Sequence, residues 1–172
     1  ILKARLPDLE LDRASMLASI IAEGRDRDPA AIFALLFLPS YRPVDEEGRH
    51  RYAAFLRQAL RWQPGLLLRH DNMTLTPSSA SAIIMLRRIY ADLPDYLFNW
   101  RLSAASALFF DQAHSRGMQR ALGLPILDQD AFISEAIQMC VACLSAPVTV
   151  DPSTLPATAP HPYLNTQAGT SD

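Results

Sequence analysis

The chain has 172 residues, 49% of them hydrophobic and 20% charged, with a formal net charge of -2. That supplies one well-filled domain and is too short for two comfortable ones. With Lys3 as its only lysine it offers no clustered basic footprint for nucleic acid, and no apolar run approaches the roughly 20 residues that a bilayer span requires.

The opening Ile1-Leu2-Lys3-Ala4-Arg5 lacks the apolar stretch and cleavage site of a signal peptide. Two cysteines make no disulfide framework, so a reducing, cytoplasmic setting is expected. The first residue is isoleucine, from which we expect the natural protein to be longer.

Leu9, Met16, Leu17, Ile20 and Ile21 recur at helical spacing and predict a first helix from about Asp8 to Glu23, with Gly24 as its stop. Asp28-Pro29 gives a cap followed by proline at the first helical position. The helix it opens, Ala30 to about Leu38, is apolar nearly all round and therefore buried. Pro39 and Pro43 are expected to end it, and Val44 to Gly48 reads as an exposed loop.

A third helix is predicted over Arg49 to Trp62, with Tyr52, Phe55, Leu56, Ala59 and Leu60 on one side and Arg51, Arg57 and Arg61 on the other. Pro64-Gly65 breaks it, and Leu66 to Leu75 leaves one short helical turn or two open. Thr76-Pro77 repeats the cap-plus-proline signal for a fourth helix reaching about Tyr90. Leu93-Pro94-Asp95 separates it from the longest helix, expected from Pro94 to Arg116 and closed by Gly117. Met118 to Leu127 is a connector, and Asp128 caps a sixth helix to about Ser145.

From Pro147 onward Pro, Ser and Thr recur without Lys or Arg, which leaves too little apolar surface to fold. No strand-like alternation bounded by hairpin turns occurs. The expected fold is all-α: a bundle of about six helices over residues 1–146 and a flexible Pro/Thr-rich tail over 147–172.

Three strings invite a chemical reading. Cys140 and Cys143, three apart on a helix, place two sulfurs on one face where they could ligate metal or form a redox couple. No second Cys pair or paired His completes a zinc site, and small thiols filling helix contacts account for them. Arg69-His70-Asp71-Asn72 resembles a scrap of a phosphohydrolase or kinase signature, but its further ligands and glycine loop are missing, and a polar helix end suffices. Asp111 and His114 share a helix face without the second carboxylate-histidine pair that a di-metal bundle site needs. There is no G-x-S-x-G, H-E-x-x-H or phosphate-cradling loop. The expectation is no enzyme, no cofactor and no metal site.

Taken in order, several segments resemble the C-terminal domain of the tetracycline-repressor-like (TetR) family. Ala22 to Pro29 is similar to the turn between that domain's first two helices. Arg51 to Leu60 resembles its recurrent R-x-x-x-F-L-x-x-x-L helix. Leu86-Arg87-Arg88-Ile89-Tyr90-Ala91-Asp92-Leu93-Pro94, then Asn99-Trp100-Arg101-Leu102, resembles its two dimer helices with the L-P hinge between them. Cys143 to Pro147 is similar to the end of its last helix. The resemblance spans about Asp8 to Pro147. It implies an effector-sensing, dimerising domain of a transcriptional repressor that releases DNA on binding a lipophilic small molecule. Family members carry a three-helix, helix-turn-helix headpiece before this domain. Nothing before Ile20 matches it, so operator contact is expected only through a headpiece preceding Ile1.

The residues suit that role. Small side chains come in blocks, Ser78 to Ala82 and Ser103 to Ala107, and let helix axes approach closely. A homodimer through the fourth and fifth helices is expected, with Leu97, Arg101, Ala104, Ala105 and Leu108 at its interface. Aromatic residues from several helices suggest an apolar pocket with sparse polar groups, formed by Phe33, Phe37, Tyr41, Tyr52, Phe55, Phe109, Phe110 and His114, with Trp62 nearby. The expected effector is lipophilic or amphipathic, and no membrane partner is expected. Two alternatives stay open: an all-helical interaction protein that binds no DNA, and a thiol- or metal-dependent enzyme built on Cys140 and Cys143.

Overall fold

The computed structural model describes residues 2–42, 50–62 and 76–156, without the side chains of residues 2–6 and 59–62. Among these residues there are six α-helices and no strand: α1 Leu2–Ala22, α2 Pro29–Tyr41, α3 Arg51–Trp62, α4 Pro77–Ile89, α5 Asp95–Ala121 and α6 Gln129–Ser145. A single 3-10 turn, Pro152–Thr154, follows. No described helix is long and apolar enough to cross a membrane.

Local chemistry sets most of the boundaries. The Asp28 carboxylate accepts from the Ala30 N–H at 2.9 Å, and the Asp128 carboxylate accepts from the Ala131 N–H at 2.8 Å. Each satisfies one of the donors that a helix start leaves orphaned. At the other end of α1, Gly24 takes φ 65°, the Gly24 N–H bonds Ile21 and the Arg25 N–H bonds Ile20. That pair of bonds recovers two of the last carbonyls, and only glycine enters this left-handed geometry at little cost.

Three expected boundaries differ. The first helix begins at Leu2 and runs through Pro7, whose missing N–H removes only one bond of an otherwise continuous ladder. The second runs through Pro39 to Tyr41. Proline there deprives the Leu35 carbonyl of its helical donor, but Arg13 of α1 braces the turn, donating to the Leu36 carbonyl at 3.2 Å and to Ser40 Oγ at 3.0 Å. Gly117 lies inside α5 and does not end it. The stop is Gly123, at φ 67°, with the Gly123 N–H on Arg120 and the Leu124 N–H on Gln119.

α2 occupies the centre and packs on α1, α3, α4 and α6. Ile32, Phe33, Leu35 and Tyr41 are fully buried, as its all-round apolar sequence demands. Burial of each such side chain stabilises by about 1.5–3 kcal/mol. α4 packs on α1 and α2, and it turns its small residues inward: Ser78, Ser79 and Ala82 are buried. The Glu10 carboxylate of α1 crosses to the start of α4, accepting from the Ser78 N–H at 3.0 Å and its hydroxyl at 2.7 Å. A carboxylate at a helix N-terminus is favoured by the helix dipole.

α5 meets α4 at a corner fixed by Arg87, which donates to Asp95 at 2.9 and 3.1 Å and to the Tyr90 carbonyl at 2.7 Å. The Arg87 guanidinium also lies over the Phe98 ring at 5.3 Å. The most extensive helix pair is α5 with α6. They run antiparallel: Arg101 near the start of α5 reaches the end of α6, and Arg116 near its end reaches Phe132 at the start of α6. The expected loop 44–48, the open segment 66–75 with its Arg69-His70-Asp71-Asn72 string, and residues 157–172 of the expected tail lie outside the described residues.

Candidate functional site

Six of the eight aromatic and polar residues singled out in the sequence converge in one interior. Phe37 stacks on Phe33 at 5.6 Å and on Phe109 at 4.8 Å, and it meets Phe110 edge-on at 5.7 Å. Tyr41, one turn on from Phe37, meets Phe109 edge-on at 5.9 Å and lies 5.8 Å from Phe132 of α6. Tyr52 is buried on α3. The rings of Phe33, Phe37, Tyr41, Phe109 and Phe110 form one chain of contacts, each worth about 0.5–1.5 kcal/mol beyond burial. Phe55 is the exception. It lies 6.4 Å from Tyr52 but stays 39% exposed, on the rim of the cluster. His114 is half-buried, and its neighbour Asp111 accepts from Arg57 of α3.

Two participants were not singled out in the sequence. His50 stacks on Tyr41 at 4.0 Å, and its Nδ1 lies 2.6 Å from the Tyr41 carbonyl. Phe132 closes the α6 side. Its signal was present, since it falls on the apolar face of the predicted sixth helix with Ala136, Ile137 and Cys140.

Tyr41 is the chemically distinctive member. Its side chain is fully buried, yet its hydroxyl proton is donated to no acceptor among the described residues. Leaving a buried donor unused costs about 1–3 kcal/mol, so it is a rare arrangement in a folded interior. Burial pushes its phenol above the ordinary tyrosine value, while Arg116, by its charge and by a side-chain hydrogen bond to the phenol oxygen, and the charge of Arg120 pull the other way. Tyr41 is therefore a neutral O–H group in a ring-lined interior at the meeting point of α2, α5 and α6.

The residues expected at a subunit interface divide. Leu97, Arg101 and Ala105 are buried within the chain against α6. Arg101 donates to the carbonyls of Leu144 at 3.1 Å, Pro147 at 3.0 Å and Ala146. Ala104 is exposed and Leu108 half-buried. Trp100, Ala104 and Ala107 fall at i, i+4 and i+7, so they share one face of α5; all are exposed, and Trp100 is 61% exposed. On α6, Met139 and Ala142, three apart, are likewise exposed, and the exposed Ala146 follows the helix end. Cys143, next to Ala142, lies near enough to Arg101 for its charge to act on the thiol. Each of the two helices thus leaves small or apolar residues exposed.

Cys140 and Cys143 are free thiols. Cys140 is fully buried, its Sγ donates to the Ala105 carbonyl at 3.4 Å, and burial pushes its pKa to about 12. Burial raises Cys143 too, with Arg101 opposing. Both sit far from the low-pKa condition that a nucleophilic thiolate requires. Among the described residues, no three His, Cys, Asp or Glu side chains gather in a way that could hold a metal ion. No protein-family model, no curated protein and no solved structure matches the chain.

Proposed function

We propose that this chain is the effector-sensing and dimerising domain of a cytoplasmic TetR-type transcriptional repressor, which contacts its operator through a helix-turn-helix headpiece joined before Ile1. The observation that carries the sensing half is the buried Tyr41 hydroxyl, whose proton is donated to nothing, inside a ring cluster shared by α2, α5 and α6. A lipophilic ligand with one polar end would find apolar walls and a hydrogen-bonding group there. By touching three helices at once it would favour one arrangement of them over another, which is how binding changes affinity at a distance.

The dimerising half rests on the exposed strip of Trp100, Ala104 and Ala107 on α5, with Met139 and Ala142 exposed on α6; the small residues of α4, expected to share the interface, are buried within the chain at Ser78, Ser79 and Ala82. Pairing this strip with its twin across a two-fold axis gives a four-helix arrangement of α5 and α6, in which small residues allow close approach. The same strip also fits a heterologous helical partner, which is the second reading.

Sedimentation of the full chain at micromolar concentration separates the two. We expect a dimer with a stable interface of about 2,000 Å². Because Ala104 is exposed in the single chain, Ala104→Arg should give a folded monomer; a monomer before substitution removes the dimer. Sensing is checked by melting temperature in lipophilic compounds, since a ligand present at 100 times its dissociation constant adds about 2.7 kcal/mol. No shift with any of them removes the sensing half.

A further inference from the structure

Arg116, on α5, is only 8% exposed, and its Nε has no hydrogen-bond partner. Its Nη2 donates to the Leu127 carbonyl at 3.1 Å, and its guanidinium lies 5.2 Å from the centre of the Phe132 ring. The Tyr41 ring lies 5.8 Å from that same ring. The Arg116 Nε–H and the Tyr41 hydroxyl proton, one on a cation and one on a neutral group, are thus both left undonated beside a single aromatic side chain, with the Arg116 side chain close enough to act on the phenol oxygen.

Resting on the effector-sensing reading, we infer that the polar end of the effector is a carboxylate held between Tyr41 and Arg116. The complement of an O–H and a charged N–H is a monoanion with two acceptor oxygens. Charge-assisted hydrogen bonds of this kind are shorter and stronger than neutral ones. Because Arg116 Nη2 is already committed to Leu127, one carboxylate oxygen takes Nε–H and the other takes the Tyr41 hydroxyl. The phenol suits this part, since burial keeps it protonated and it remains a donor at neutral pH.

The surroundings fit an anion with an apolar body. Arg120, one helical turn beyond Arg116, adds a second positive charge at this end of α5. Leu122, Leu124 and Leu127 of the connector are each half or more exposed beside it. An alkyl chain leaving the carboxylate would cover them. A dianion such as phosphate would bring more charge and more acceptors than these two donors satisfy.

The test is calorimetric titration of the full chain with decanoate, decanol and acetate, with thermal melts to check folding. Decanoate should bind once per chain and about tenfold tighter than decanol, a difference of about 1.4 kcal/mol. Tyr41→Phe keeps the ring and removes the hydroxyl; it should cut decanoate affinity by about tenfold and decanol affinity by less, since only decanoate makes a charge-assisted bond to it. Arg116→Met should abolish the preference, and should it fail to fold, Tyr41→Phe decides alone. Equal binding of decanoate and decanol, or full-strength decanoate binding by Tyr41→Phe, overturns the carboxylate and leaves sensing of neutral lipophiles standing. Acetate binding as tightly as decanoate reduces the site to an adventitious anion only. Silence from all three overturns both readings together.

Discussion

Arg101 and Arg116 lie on the same helix and are equally buried, each 8% exposed, yet their surroundings differ in kind. Arg101 enters the C-terminal end of α6 and finds the carbonyls of Leu144, Ala146 and Pro147, groups that a helix end leaves without donors. Arg116 finds one carbonyl, one ring and the Tyr41 phenol oxygen, and keeps its Nε unpaired beside a hydroxyl proton that is donated to nothing. A saturated buried cation fastens two elements together. An unsaturated one beside a second unsaturated group marks a place that a further molecule would complete. Burial alone does not distinguish the two, nor does the donor count by itself, since Arg13 braces α2 with its Nε and Nη1 unpaired; what sets Arg116 apart is the aromatic cluster it borders.

The largest expected effect lies at the saturated end. Arg101→Met strips three carbonyls of a charged donor, and bonds to charged groups contribute about 1.5–3 kcal/mol each, so a loss of about 3 kcal/mol or more in urea unfolding is expected. Arg116→Met should cost no more than about half of that, because fewer bonds are lost and an unpaired buried nitrogen goes with them. Equal losses from the two substitutions would erase the distinction drawn between these ends.

A second expectation concerns alkaline pH at the Arg101 end. Cys140 is raised in the folded chain from 9.0 to about 12, so the unfolded chain sheds this proton first. Its contribution is fully present below pH 9 and is lost as pH rises toward 12, at up to about 1.4 kcal/mol per pH unit. Cys140→Ala should make the alkaline fall in stability shallower, leaving the parts due to Cys143 and Tyr41, which are raised as well. An unchanged slope between pH 9 and 12 would show that the thiol is not sequestered as described.

The smallest effect is the most discriminating. Tyr41→Phe removes a buried hydroxyl whose proton is donated to nothing, so the ligand-free chain should unfold at equal or slightly higher urea concentration, by up to about 1 kcal/mol. A loss of more than that would mean the hydroxyl is already satisfied, and Arg116 and Tyr41 would then join Arg101 as fastenings.

The helices were largely legible because their signals are local. Asp28 before Pro29, Thr76 before Pro77 and Asp128 before an apolar run mark starts within a residue or two. Proline and glycine misled at Pro39 and Gly117, since a helix tolerates a breaker when its lost bond is braced or when the ladder continues on either side. The α2 aromatic residues were legible as core for the same reason: an all-round apolar helix has nowhere else to go. The arginines were not. Arg13 shares a helix face with Leu9 and Ile20, and Arg101 with Leu97 and Ala105, so sequence spacing places them on buried stripes. What they bond to depends on carbonyls far along the chain, and no periodicity reveals that. The same limit applied to Tyr41, whose place among the rings was readable and whose undonated proton was not.

Arg13 gives α1 a mechanical part in this chain. Its guanidinium grips the turn of α2 made by Leu36 and Ser40, and Ser40 is the residue immediately before Tyr41. The tie between the two helices therefore sits one residue from the ring at the centre of the cluster, so any change in how Tyr41 packs is felt first at the fastening of α1.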